Sequence, residues 1–170
     1  AKALDFEDKD VTYAALGYNY NNGSWLLMSE IAMLNIDWAV LNNLAYGYTS
    51  IGYIVGDVTP YITYANLNTT DKRTIVAEPA YDAVPTEQAR LGLLAMHQGS
   101  QNLLDISRMD QQSLSAGVRW DIGARWAVKG QVSRYQLQGP GYGAWGSDLD
   151  VNIGERRYIT VASLNVSTIF

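Results

Sequence analysis

Side chains alternate between apolar and polar along long stretches of this chain, and this period of two constrains the fold more than any other feature. The C-terminal stretch Tyr158–Phe170 shows the pattern clearly, because Leu164 and Val166 fall on one side and Ser163 and Asn165 on the other. Successive side chains of a β-strand point to opposite faces of a sheet. The alternation therefore predicts strands that have one apolar face and one polar face.

Seven such segments follow one another, and turn sequences such as Asn22-Gly23 and Gly56-Asp57 separate several of them. They are Tyr13–Asn21, Trp25–Asn35, Leu44–Val55, Val58–Leu67, Leu114–Ile122, Trp126–Ser133 and Tyr158–Phe170. The alternation of the third and fourth segments is too irregular to assign their faces. The expected fold class is therefore all-β, with strands that run antiparallel and up and down.

Two connections are much longer than the others, namely Asn68–Asp110 and Gln138–Glu155. Within the first, Leu91, Leu94 and Ala95 recur at helical spacing, and this spacing predicts a short helix over Thr86–His97 that ends near Gly99.

Composition limits the surroundings in which these strands can fold. Charged residues make up 17% of the chain, against about 25% in soluble domains, and 12 Tyr and 5 Trp stand against 2 Phe. Aromatic rings with a polar tip are favoured where one end is apolar and the other is wet, as at a membrane surface. The net charge of −5 argues against a nucleic-acid partner, and the lack of cysteine excludes a disulfide scaffold. The start, Ala1–Asp5, has no apolar signal segment, so we expect a processed or internal start.

Segment length and connection length together favour a transmembrane antiparallel β-barrel. Strands of about nine to eleven residues cross a bilayer when tilted, and outer-membrane barrels have short periplasmic turns and long extracellular loops. The expected membrane girdle consists of Trp25, Trp120, Trp126, Tyr158 and Phe170. The alternative, a soluble β-sandwich or ligand-binding barrel, would carry more charge on its wet face.

Four stretches resemble a large family of Gram-negative outer-membrane porins. The segment Ser115–Gln131 resembles the family's G-V-R-Y-D … W-A-L-K hairpin, and Gly52–Tyr64 is similar to its G-Y-R … T-P-Y hairpin. The segment Asp148–Asn152 resembles the polar stretch before the family's final strand, and Tyr158–Phe170 resembles that strand with its C-terminal Phe. Ile54 departs from the pattern, since the family often has Arg there.

The resemblance implies that residues 1–170 form a single unit, the C-terminal portion of a barrel with well over twelve strands. Bacterial single-chain barrels have an even number of strands and seven are counted here, so the alternatives are a barrel with one strand missed or an independent eight-stranded barrel. The long connections 68–110 and 138–155 would be extracellular loops. Implied partners are the bilayer and lipopolysaccharide, the barrel assembly machinery through the C-terminal strand, and two further copies in a homotrimer. The implied location is the bacterial outer membrane, with no cofactor and no metal.

Charged and polar side chains in register with the polar faces are the candidate pore-lining residues. They are Glu30, Arg119, Asp121, Lys129, Gln131 and Ser133. Arg or Lys on the lipid face near the midplane costs about 2–4 kcal/mol, so these charges should face the lumen and tune ion selectivity. The alternative is that they pair across strands and only support the wall. Arg134 falls in the lipid register, where it could reach toward lipid phosphates.

Three further motifs give only weak evidence of a functional site. Gly141–Gly146 spells G-x-G-x-x-G but opens no helix of a βαβ unit. Asp148, Asp150 and Asn152 have the start of a calcium-loop spacing without its Gly or its final Glu. His97 is the one histidine, and no neighbouring motif supplies a catalytic nucleophile.

We therefore expect a passive diffusion channel for small hydrophilic solutes or ions rather than an enzyme. A non-conducting barrel that serves as an anchor or assembly component is the alternative, and a barrel-embedded hydrolase is a weaker one.

Overall fold

A computed structural model describes residues 9–38, 41–81, 85–139, 143–145 and 156–169. Within these residues, seven strands form one antiparallel sheet, and one α-helix, α1 (Glu87–Ile106), lies in the connection between the fourth and fifth strands. The strands are β1 Val11–Asn21, β2 Trp25–Ile36, β3 Leu44–Tyr53, β4 Val58–Thr69, β5 Gln111–Ile122, β6 Trp126–Leu137 and β7 Arg157–Thr168. These elements confirm the all-β, antiparallel expectation.

The strand order in the sheet follows the order in the chain, so each strand pairs with its sequence neighbours in an up-and-down meander. In the part of the chain that the structure describes, β1 and β7 do not pair with each other. The sheet is therefore open, with one edge at β1 and the other at β7.

Tight turns connect the strands at one end of the sheet. Gly23, Gly56 and Gly123 each adopt a positive φ there, at 86°, 60° and 64°, a conformation that glycine adopts without steric cost. In the first turn the Asn22 side chain accepts hydrogen bonds from the backbone N–H groups of Ser24 and Trp25. The connections at the opposite end are long and include α1, so the sheet has a short-turn end and a long-loop end.

The helix α1 runs well beyond the predicted stop at Gly99, and the predicted C-terminal boundary was wrong. Thr86 caps its start by accepting a hydrogen bond from the Ala89 N–H. An added Cβ at Gly99 would meet no neighbouring atom, so this glycine neither breaks the helix nor packs closely against another element. No helix among the described ranges is long and apolar enough to cross a membrane.

Strand register divides the side chains into two faces. The face that we call apolar carries the odd-numbered residues of β2 and β3 and the even-numbered residues of the other five strands. The remaining strand residues form the opposite face, which we call mixed because β4 to β6 contribute mostly polar groups and β2 contributes mostly apolar ones. The register thus assigns the faces of β3 and β4, which the sequence pattern leaves open.

Burial is inverted relative to that of a soluble protein. Apolar-face side chains such as Leu16, Ile31 and Leu164 are 70%, 61% and 75% exposed. Every buried strand residue in the described ranges lies on the mixed face, including Ser115 and Ser133 at 5% and 3%. Side chains on the mixed face therefore shield one another, as on the inner side of a curved sheet, while the apolar face has no protein cover.

Candidate functional site

All six candidate pore-lining residues lie on the mixed face. They are Glu30 on β2, Arg119 and Asp121 on β5, and Lys129, Gln131 and Ser133 on β6. Their common placement follows from the period of two along each strand, combined with the register between β5 and β6. The structure separates Glu30 from the other five, which lie on the neighbouring strands β5 and β6 and extend from Asp121 near the short turn to Ser133 beyond the middle of β6.

Two cations, Arg119 and Lys129, are directly opposite each other on β5 and β6. Arg119 donates from Nη2 and Nε to Oδ1 of Asp121 at 2.6 and 2.9 Å, so this pair is locally neutral. Lys129 instead places Nζ 4.8 Å from the centroid of the Tyr61 ring. Within the described residues Lys129 forms no ion pair, so it carries the uncompensated positive charge of this group.

The Tyr61 side chain extends from β4 over Gly117 on β5 and reaches β6. Its hydroxyl donates to Oε1 of Gln131 at 2.7 Å. The Gln131 amide in turn donates to Oγ of Ser133 at 2.8 Å, and Ser115 also donates to Ser133 at 2.8 Å. The polar groups of three adjacent strands are therefore bonded into one network.

A cavity of about 390 Å³ opens on the mixed face beside this network. Tyr48 and Tyr61 are among its walls, Lys129 and Arg119 line one part, and Met28 lines another. The sequence pattern did not single out either tyrosine as part of a site. Tyr61 lies two residues from both Thr59 and Thr63, so it shares their face of β4. This alternation was the sequence feature from which the polar-side position of its ring could have been predicted.

The surroundings of Glu30 contradict the expectation that it lies on a polar face of its strand. The mixed face of β2 is not polar, because Met28 and Ala32 flank Glu30 on that face. Polar partners come from neighbouring strands instead. The Tyr46 hydroxyl donates to Oε1 of Glu30 at 2.9 Å, and the hydroxyls of Tyr46 and Tyr13 share a hydrogen bond of 2.7 Å.

Four of the five expected girdle residues lie on the apolar face close to strand ends. Trp25, Trp120 and Trp126 are each about half exposed beside the short turns, at 50%, 51% and 52%. Tyr158 lies on the same face toward the long-loop end, where the Arg134 guanidinium stands 4.8 Å from its ring centroid. Phe170, the fifth expected girdle residue, lies outside the described residues.

A buried carboxylate fixes α1 at the long-loop end. Asp105 is 2% exposed and accepts two hydrogen bonds from Arg73, at 2.6 and 3.0 Å, and one from Gln101 at 3.1 Å. Burial raises the pKa of the Asp105 carboxyl, but the bonds from Arg73 and Gln101 and the charges of Arg73 and Arg108 lower it more. The net pKa of this carboxyl therefore lies below its ordinary value of 3.8.

The other motifs add no site among the described residues. No hydrogen bond joins His97 Nδ1 to a serine or a carboxylate there, and no cluster of His, Asp and Glu in those ranges could hold a metal ion. Asp148, Asp150 and Asn152 lie outside the described residues, as does half of Gly141–Gly146.

No protein-family model, no curated protein and no solved structure matches this chain. The functional argument therefore rests on the sheet, its two faces and the residues that they carry.

Proposed function

We propose that the seven strands form part of the wall of a transmembrane β-barrel in a bacterial outer membrane, and that this barrel is a passive diffusion channel for small hydrophilic solutes or ions. The proposal rests on the inverted burial, in which the apolar face is exposed and the buried strand residues lie on the mixed face. An uncovered apolar face would be unfavourable in water at about 25 cal/mol per Å² of exposed apolar area, whereas lipid chains would cover it at no such cost.

Strand dimensions and the placement of charge support the same environment. The strands are 10 to 12 residues long, and about nine to eleven residues cross a bilayer when tilted. The charges of Glu30, Arg119, Asp121 and Lys129 all lie on the mixed face, which in a barrel would be the wet one. Among the described strand residues, Arg134 is the one charged side chain on the apolar face. It lies toward the long-loop end against Tyr158, whose ring could share the position at a membrane surface.

Closing the wall requires strands beyond the seven described. In the described part of the chain, the backbone groups on the outer sides of β1 and β7 have no strand partner, and each unpaired group would cost several kcal/mol in hydrocarbon. Bacterial single-chain barrels also have an even number of strands. The proposal therefore includes a larger barrel, with lipid and lipopolysaccharide around it, insertion by the barrel assembly machinery, and trimers as its assembly state.

Reversal of the uncompensated charge tests the channel. We expect Lys129→Glu to shift the reversal potential under a salt gradient toward cation preference in planar bilayers, because a lumen charge changes the local ion concentration. The shift should shrink in molar salt, where the Debye length falls to about 3 Å. The matched control is the double variant Arg119→Gln/Asp121→Asn, which removes a neutral pair and should leave ion preference nearly unchanged.

Two outcomes would contradict the proposal. An unchanged reversal potential in a folded, conducting Lys129→Glu variant would place Lys129 away from the ion path. Correct insertion of the unaltered protein without any conductance would favour the second candidate, a barrel that acts as a membrane anchor or assembly component.

A further inference from the structure

We propose that the cavity between Tyr48 and Tyr61 binds small organic anions in which a carboxylate is attached to an aromatic ring or a short apolar body. The inference rests on the proposed channel for the ligand's route of entry, and it assigns a solute class to that channel. Binding itself requires only the folded wall.

The cationic part of the cavity supplies the recognition of a carboxylate. Lys129 forms no ion pair within the described ranges, and the Tyr61 ring at 4.8 Å holds its Nζ above the sheet. Asp121 accepts hydrogen bonds from Nε and Nη2 of Arg119, and the guanidinium has further N–H donors at Nη1. Hydrogen bonds between ionised partners are about twice as strong as neutral ones, so an anion has a strong electrostatic reason to bind here.

The rest of the cavity favours an apolar body over a polyhydroxylated one. Leu26 and Met28 line it together with the two tyrosine rings. The hydroxyls of Ser50 and Thr63 already bond to each other at 2.7 Å. The Tyr61 hydroxyl and the Gln131 amide are likewise engaged with their neighbours. A sugar would therefore find few free hydrogen-bonding groups, whereas a ring would find aromatic and aliphatic surface.

Size agrees with this class of ligand. A volume of about 390 Å³ lies at the lower end of the range of about 300–1,000 Å³ for small-molecule sites. An inorganic anion would use only the cationic part of the cavity, and an organic cation would meet Lys129 and Arg119. A single-ring carboxylate can use both parts.

Titration calorimetry on the intact, folded protein in detergent or nanodiscs tests the proposal with three probes: benzoate, benzyl alcohol and acetate. We expect benzoate to bind more tightly than either of the other two. Lys129→Gln should weaken benzoate binding about tenfold or more, as expected for the loss of one charge-assisted contact, and leave benzyl alcohol unchanged. The matched control is Arg134→Gln, because Arg134 also stands 4.8 Å from a tyrosine ring, but on the apolar face. This variant should bind benzoate as the unaltered protein does.

A second variant keeps the test decisive if Lys129→Gln does not fold. Tyr48→Ala removes one ring of the cavity and should weaken both benzoate and benzyl alcohol. Equal affinities for benzoate and acetate, or benzoate binding that neither variant changes, would overturn the inference. Conductance is measured separately, so that failure of binding in a conducting protein overturns this inference alone. Benzoate binding by a non-conducting protein would overturn the channel and leave the binding site standing.

Discussion

Gly117 determines what the candidate site can be, because it leaves room for the Tyr61 side chain above the sheet. A Cβ at this position would contact the phenol of Tyr61 and would lie 2.7 Å from the carbonyl oxygen of Gly130. The space that the missing side chain leaves on β5 lets the Tyr61 hydroxyl reach Gln131 on β6. A glycine in a strand interior often marks such a close approach.

Substitution of this glycine should loosen the wall. We expect Gly117→Ala to lower the free energy of unfolding by about 1–3 kcal/mol, as overpacking in a tight site does, and to lower the urea midpoint of the detergent-solubilised protein. Gly130→Ala is the matched control on the next strand, since an added Cβ there meets no atom within 4 Å. Equal midpoints for the two variants would contradict the role assigned to Gly117.

At this scale the sequence predicted which face each site residue occupies, but not its contacts. Period-two alternation placed Arg119 and Lys129 on one face, and the structure agrees. The contact of Lys129 with Tyr61 depends on the registers of β4 with β5 and of β5 with β6, which join residues far apart in the chain. No local pattern contains that information, so the cavity beside Tyr61 could not have been predicted.

The helix α1 shows how tertiary contacts override a local stop signal. Its second half contains the buried Asp105 and Gln101, which also accepts a hydrogen bond from the Val76 N–H at 2.9 Å. Glycine inside a helix costs about 1 kcal/mol relative to alanine, and hydrogen bonds of Arg73 and Gln101 to a carboxylate offset that cost. The pattern of Leu91, Leu94 and Ala95 predicted the helix, whereas its end depends on partners from a distant segment.

Removal of the Asp105 charge should release the end of α1. We expect Asp105→Asn to lower the local opening free energy of this segment by about 1–3 kcal/mol, because it removes a charged partner of Arg73 and leaves a buried amide. Amide hydrogen exchange of α1 measures the change. Glu87→Gln is the control, since the pair of Glu87 with Arg90 is exposed and 3.5 Å long, and such pairs contribute little. Unchanged exchange in Asp105→Asn would contradict the anchoring role.

Acid should have the same effect as this substitution. The folded-state pKa of Asp105 lies below 3.8, so its contribution to stability is present above that value and is lost as the pH falls through the lowered pKa. Exchange of α1, corrected for the intrinsic pH dependence, should therefore rise below about pH 4 in the unaltered protein. The Asp105→Asn variant should not show this rise, and a rise of equal size in it would assign the effect to another group.

For the whole molecule, the sequence predicted the meander and its two dissimilar ends but not the closure of the wall. The seven alternating segments and the turns at Gly23, Gly56 and Gly123 are local signals, and each corresponds to an observed element. Alternation on β3 and β4 was too irregular to assign their faces, because Tyr and Gly occur on both sides of β3 and Tyr occurs on both sides of β4. The pattern within one strand gives no information about which strands would pair with the edges at β1 and β7.

The proposed orientation in the membrane places α1 outside the cell and the short turns in the periplasm. The 12 residues of β5, at about 3.3 Å per residue and a tilt near 40°, span about 30 Å, which is the thickness of the hydrocarbon core.

Gln98 on α1 and Ala124 in the β5–β6 turn are both exposed and lie at opposite ends of this span. Because the chain contains no cysteine, a single introduced cysteine reports its own position. In a parent protein without other cysteines, Gln98→Cys should react with a membrane-impermeant maleimide on intact cells, and Ala124→Cys should react only after the outer membrane is permeabilised. The reverse order would invert the orientation, and reaction of both residues on intact cells would contradict a wall that spans the membrane.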